Sequence, residues 1–207
     1  MAVVFKHNPL GFHKQAMPAA LASMAAGKQG KFWEYHDKMF ADQKGINPAN
    51  LTKWATELGL DMAAFAKDSK DGALRKQIEN EQRASVALGQ RGTPAFLING
   101  KALSGAQPFD KFKTIIEAEL KAADAAIAGG TPLAQVHNVR VRANLAAKAS
   151  VYIDSLIGGK LAKAAPKPKP KPRPVDRTVW KVTVDDHNPI KGNKDALVTI
   201  VEWSDYQ

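Results

Sequence analysis

The sequence predicts an α/β fold in which a strand-built sheet is interrupted by a block of helices. Three observations carry this. Val3-Val4-Phe5 is a β-branched and aromatic run that stops at the turn Lys6-His7-Asn8-Pro9. From about 14 to 89, apolar residues recur at three- and four-residue spacings. After that the texture changes to Ala95-Phe96-Leu97-Ile98, Asn99-Gly100 and Lys101-Ala102-Leu103, a strong two-residue hairpin pattern.

Each element follows in order. Lys14 to about Ala26 is rich in Ala and Met and helical, with Pro18 in the first turn, where a missing N–H costs little. Phe32, Trp33, Tyr35, His36, Met39 and Phe40 mark a second helix with a buried stripe. Asn47 caps a third helix carrying Leu51, Trp54, Ala55 and Leu58, which Gly59 stops. Asp61 caps a fourth, with Met62 and Phe65 inward, and a longer polar helix runs from about Ala73 to Leu88 and ends at Gly89. Pro108-Phe109 opens a helix with Phe112, Ile115, Ile116 and Leu120 on one face, extended by residues 122–128 and ended by Gly129-Gly130.

Residues 131–159 read as helical, with Tyr152, Ile153, Leu156 and Ile157 as an apolar cluster. Pro166 to Pro174 places proline at every second position, a solvated and semi-rigid spacer. Thr178 to Val184 alternates as a half-buried strand, Asp185 to Pro189 turns, and Asp195 to Trp203 forms a further strand. The continuous Ala-Leu-Val-Thr-Ile-Val run in that last strand suits a position in the middle of a sheet. The expected organisation is a domain at 1–128, a helical connector and Lys/Pro-rich linker at 129–177, and a strand segment at 178–207.

Composition narrows the function classes. At 44% hydrophobic and 24% charged the chain is an ordinary globular sequence, and no run approaches the roughly 18 apolar residues of a membrane span. Its net charge of +10 invites a nucleic-acid reading, yet residues 160–177 hold seven basic residues and one acidic one. More than half of the excess charge therefore sits in the linker. That stretch lacks interleaved aromatics and amphipathic periodicity, so no specific nucleic-acid partner is expected and solvation of a spacer is the stronger reading. A basic nucleic-acid-binding protein stands as the second alternative function. With no cysteine, the chain offers no disulfide, thiolate metal site or thiol nucleophile of its own. The five histidines show no ligand spacing with carboxylates; His7 and His13 are close in sequence but lack a third ligand, so no metal is expected, and no cofactor. Gly158-Gly159-Lys160 fails as a phosphate loop, because position 154 is Asp and no Ser or Thr follows the lysine. The N-terminus lacks the basic-then-apolar layout of a signal peptide.

Several segments resemble one family. Val4 to Leu10, Ala16-Met17-Pro18-Ala19-Ala20, Gly30 to Glu34, and Gly89 to Gly105 with its Arg91-Gly92-Thr93-Pro94-Ala95-Phe96 resemble the post-active-site half of DsbA-like thioredoxin-fold domains. Together they cover about residues 2–120. Val179 to Gln207, with Val201-Glu202-Trp203-Ser204-Asp205-Tyr206, resembles the beginning of the same domain, just ahead of its Cys-Pro-x-Cys site. The order is out of phase, as in a slice of a tandem protein or a circular permutant. The resemblance implies a thioredoxin-like fold with a helical insertion. It implies the activity of a thiol–disulfide oxidoreductase of the periplasm or cell envelope. This chain would itself be redox-inactive, with no catalytic residue, because it has no sulfur nucleophile.

By the same resemblance, Gly92, Thr93 and Pro94 match the family's cis-proline loop, which pairs with extended polypeptide substrates. Thr-Pro before a strand also suits a trans turn; the flanking Gly92 and Phe96 favour cis. Glu202 matches the acidic residue behind the family's active site, where burial raises the pKa for proton transfer; its other reading is an exposed strand-end carboxylate. Trp203, Ser204, Asp205 and Tyr206 read as packing and turn residues, and Trp33 and Trp54 as core. The first alternative function is a non-catalytic peptide-binding or assembly module using the Thr93-Pro94 wall. A strand-swapped homodimer is a further expected arrangement.

Overall fold

The computed structural model describes residues 1–156, 190–192 and 196–206. The expected strand at 178–184, the turn at 185–189 and the Pro/Lys spacer lie outside the described residues. The elements run β1 (Ala2–His7), α1 (Ala16–Lys28), α2 (Phe32–Ala41), α3 (Pro48–Glu57), α4 (Met62–Asp68), α5 (Gly72–Ala87), β2 (Ala95–Ile98), β3 (Lys101–Ser104), α6 (Phe109–Ala128), α7 (Leu133–Leu145), α8 (Ala149–Leu156), β4 (Ile190–Gly192) and β5 (Thr199–Ser204), with 3₁₀ turns at Gln43–Gly45 and Ala146–Lys148. The chain divides into two compact units, one of Met1–Lys6 with Arg83–Trp203 and one of His7–Gln82 with Ser204–Gln207.

The first unit is built on a five-stranded sheet of order β3-β2-β5-β1-β4. β5 is the central strand, as its unbroken apolar run requires. It pairs antiparallel with β2, Ile200 opposite Ile98 and Glu202 opposite Phe96. β1 is its other neighbour. Ala2 N–H donates to Val198 O at 3.0 Å, and Asn8 N–H donates to Ser204 O at 3.2 Å. Both partners advance by the same step, so β1 and β5 run parallel. β4 closes the far edge, antiparallel to β1, with Gly192 opposite Ala2. Gly192 has φ +118, and a Cβ there would meet Met1 O at 2.3 Å, so only glycine allows this close approach of two backbones.

The two-residue period of the strands sorts their side chains to opposite faces. Ile98, Ile200, Val3 and Phe96 pack on one face with Phe112, Ile115 and Ile116 of α6. Val4, Leu97, Val201 and Trp203 pack on the other with Leu88, Val141, Tyr152 and Ile153. Trp203 and Tyr152 are fully buried, and full burial of a large apolar side chain contributes about 1.5–3 kcal/mol. The α6 stripe is narrower than its sequence suggests. Leu120 is 38% exposed, while Glu119 and Ala123 take the buried positions.

The second unit holds α1 to α4 and the first part of α5. Ala20, Leu21 and Met24 of α1 pack on Leu74 and Ile78 of α5. The expected caps form. Asn47 accepts the Asn50 N–H, and Asp61 accepts the N–H groups of Ala63 and Ala64. In α2 the buried residues are Phe32, Tyr35 and Met39, whereas Phe40 is 37% exposed. Tyr35 donates its hydroxyl to Leu51 O at 2.8 Å, which satisfies the one polar atom on that buried face.

The candidate peptide wall and its carboxylate

The loop ahead of β2 is positioned from both sides. Gln90 is buried, its N–H donates to Ser85 O at 2.9 Å, and the Ser85 hydroxyl donates back to Gln90 O. Ser104 of β3 donates to Gln90 Oε1 at 3.1 Å. On the far side, Gly105 N–H donates to Pro94 O at 2.8 Å. Between these anchors run Arg91 and Gly92, both exposed, then Thr93 and Pro94, both half-buried, with the Thr93–Pro94 peptide bond cis. Among the described residues the main-chain groups of Arg91, Gly92 and Thr93 take no hydrogen bond. A stretch of rigidly held, unpaired main chain beside a sheet is the geometry that accepts an added strand. Phe109, at the first position of α6 and four residues beyond Gly105, is 75% exposed.

Glu202 lies opposite Phe96, two residues past Pro94. It is half-buried, and burial pushes its carboxyl above the ordinary carboxylate range. Among the described residues no hydrogen bond or ion pair reaches that carboxylate. A carboxyl in this state keeps its proton to a higher pH than an exposed one does, the direction that proton transfer to and from a thiol favours. Gly92, Thr93, Pro94 and Glu202 therefore all belong to the sheet unit, three on the loop before β2 and one on the strand paired with it.

Sequence reasoning did not single out the polar cluster behind the β2–β3 turn. Asn99 and Gly100 have φ +46 and +90, the left-handed pair that a tight hairpin requires. Asn99 Oδ1 accepts Thr199 N–H at 2.9 Å and sits 3.1 Å from His137 Nδ1, while Asn99 Nδ2 donates to Leu197 O at 3.2 Å. Glu119, with no exposed side-chain surface, receives Arg140 through Nε at 3.0 Å and Nη2 at 3.1 Å, Asn144 Nδ2 at 3.0 Å and Lys101 Nζ at 3.2 Å. Burial alone pushes Glu119 up, but the hydrogen bonds from Arg140, Asn144 and Lys101 outweigh it and hold the carboxyl below the ordinary range. The cluster ties α6, α7, the hairpin and the start of β5 together. The one sequence cue was Asn99, read there only as a turn residue.

The histidines are dispersed. His7 is buried, its ring edge-on to Phe32 and tilted against Tyr206. His13 faces Asp205, and His137 is half-buried beside Asn99. Among the described residues no group of three or more His, Asp or Glu side chains is arranged to hold a metal ion, and no helix is long and apolar enough to cross a membrane.

Comparison with known proteins adds the lineage. A Na(+)/H(+) antiporter NhaA of Herminiimonas arsenicoxydans is 34% identical over 115 residues, 56% of this chain and 18% of that protein. The Na(+)/H(+) antiporter NhaA 3 of Salinispora tropica is 37% identical over 103 residues, 49% of this chain and 16% of its own length. The Na(+)/H(+) antiporter NhaA 1 of Salinispora arenicola is 39% identical over 107 residues, again 49% and 16%. The chain thus spans less than a fifth of the length of these relatives. No solved structure matches it. The model of the DSBA-like thioredoxin domain matches residues 2–117, which include β1, the helical insertion, the β2–β3 hairpin and the start of α6. With that match across more than half of its length and a five-stranded mixed sheet to carry it, the chain belongs to the DSBA-like thioredoxin domain family.

Proposed function

We propose that this chain is the peptide-binding and proton-handling part of a DsbA-type disulfide-exchange module, working in the periplasm or cell envelope. The observation that supports it most is the unpaired main chain of Arg91, Gly92 and Thr93 on the loop leading into β2, the strand that pairs with the Glu202 strand. An extended polypeptide pairs with Thr93 as an added strand, and the exposed Phe109 ring lies on the segment that follows the Gly105–Pro94 tie.

In thiol–disulfide exchange a thiolate attacks one sulfur of a disulfide, a mixed disulfide forms, and the other sulfur leaves as a thiolate. The attacking sulfur cannot come from this cysteine-free sequence. The role of the chain is to hold the substrate and, through Glu202, to take up or return the proton that accompanies thiol ionisation. The matched stretch is 16–18% of each antiporter, too little to carry ion transport over to this chain. The same unpaired main chain also favours a second reading, a peptide-binding module that performs no exchange.

The test is titration of the full chain against a labelled, reduced and carboxymethylated unfolded polypeptide, read by fluorescence anisotropy. Thr93→Pro removes the Thr93 N–H and is expected to weaken binding about tenfold, with circular dichroism verifying the fold. Wild-type affinity in that variant means that the wall is not the binding site. If Glu202→Gln leaves polypeptide affinity unchanged, as expected, binding and proton handling are separate properties.

A further inference from the structure

We propose that the helical unit carries a second site, a pocket between α1, α3 and α4 that binds a medium-chain apolar carboxylate. The pocket measures about 450 Å³, within the range of cavities that take small molecules. Leu21 of α1, Leu51 of α3 and Phe65 of α4 line it with buried apolar surface, and Ala66 leaves room where a longer side chain would fill the space. At the α4 C-terminus the lining changes character. Ser69 Oγ is buried and has no hydrogen-bond partner among the described residues, and Lys70 is the single ionic residue of the lining.

Three details make this polar end suited to an anion rather than a neutral or cationic group. The carboxylates flanking Lys70 are already occupied, because Lys28 Nζ reaches Asp68 at 3.0 Å and Asp71 at 3.1 Å. Lys70 itself makes no ion pair among the described residues. Three of the carbonyls that end α4 also accept main-chain N–H groups, which lessens their repulsion of an anion: Ser69 N–H donates to Phe65 O, Lys70 N–H to Lys67 O and Asp71 N–H to Asp68 O. An unopposed ammonium and an unpartnered hydroxyl at one end of an apolar pocket are complementary to a carboxylate on an apolar chain. Neither the peptide wall nor Glu202 contributes to this pocket, so the site is independent of the exchange reading.

The experiment titrates the full chain with sodium decanoate below its micellar concentration, by calorimetry and by amide chemical shifts, with 1-decanol as the uncharged control. Saturable one-to-one binding is expected, with shifts centred on residues 18–22, 48–52 and 62–70. Lys70→Gln, an exposed position whose change leaves the fold intact, is expected to weaken decanoate about tenfold and leave decanol unchanged. Ala66→Phe fills the pocket and is expected to abolish binding of both. Decanol binding as tightly as decanoate overturns the carboxylate assignment. Absence of saturable binding, or equal decanoate affinity in wild type and Lys70→Gln, overturns the site, and that comparison stands even if Ala66→Phe does not fold.

Discussion

His13 Nδ1 lies 2.8 Å from Asp205 Oδ2, and the same oxygen accepts the Leu10 N–H at 3.1 Å. The Asp205 side chain is fully buried, whereas His13 keeps 29% of its side-chain surface. Phe12, edge-on to His13 at 4.4 Å between centroids, is 76% exposed. A carboxylate 192 positions along the chain from His13 thus holds both the backbone and a side chain of the loop between β1 and α1. Asp205→Asn keeps the shape but removes the charge-assisted bonds, with an expected cost of roughly 1–3 kcal/mol. Amide hydrogen exchange checks this: the Leu10 N–H is expected to lose protection, and unchanged protection there refutes the clamp.

Glu119 is the buried charge on which the hairpin, α6 and α7 converge. Glu119→Ala strands Arg140, whose side chain is 18% exposed, without its counter-charge. Removing one partner of a buried pair costs about 3–5 kcal/mol. Urea denaturation at neutral pH is the measurement, and a loss below about 1 kcal/mol contradicts the central role given to this carboxylate.

His137 makes acid stability specific. Burial lowers its pKa to about 4, and its Nε2 has no partner among the described residues. The folded chain therefore holds this ring neutral while the unfolded chain binds a proton near pH 6.5. The contribution is present above about pH 6.5 and is lost as pH falls toward 4, by roughly 3 kcal/mol in total. Replacing His137 with Asn is expected to flatten the pH dependence of stability across that window. A wild-type slope in the variant assigns the acid sensitivity elsewhere.

Glu202 has the opposite sign. Its folded carboxyl is raised, so the contribution is greatest below the unfolded value of about 4.3 and is lost as pH rises through the folded one. At pH 7 Glu202→Gln is expected to stabilise the chain and raise its melting midpoint, because the buried charge is removed. The gain disappears at pH 4 if burial of the charge is its cause.

Much of this molecule is local, and local features are legible in sequence. Asn47 and Asp61 cap helices because their short side chains reach the next free N–H groups, and Asn99-Gly100 turns because both residues tolerate positive φ. The apolar run that ends at Trp203 announced a central strand for the same reason, since both of its faces must be covered. The Gly-Thr-Pro loop and Glu202 were found only by resemblance to a family, because nothing in their own spacing marks them.

By itself the sequence determined the elements among the described residues, most of their apolar faces apart from the exposed Phe40 and Leu120, and the absence of any thiol from these residues. The tertiary structure decided who meets whom. It inserts β5 between β1 and β2, so that Glu202 lies opposite Phe96 and Asn99 receives the Thr199 N–H across 100 positions. It buries Glu119, a residue that the helical spacing did not single out, among Arg140, Asn144 and Lys101. The physical reason is that caps, turns and periodicity act over a few residues. Burial of a charge, and the pKa that follows from it, depends on groups brought together only when distant segments pack.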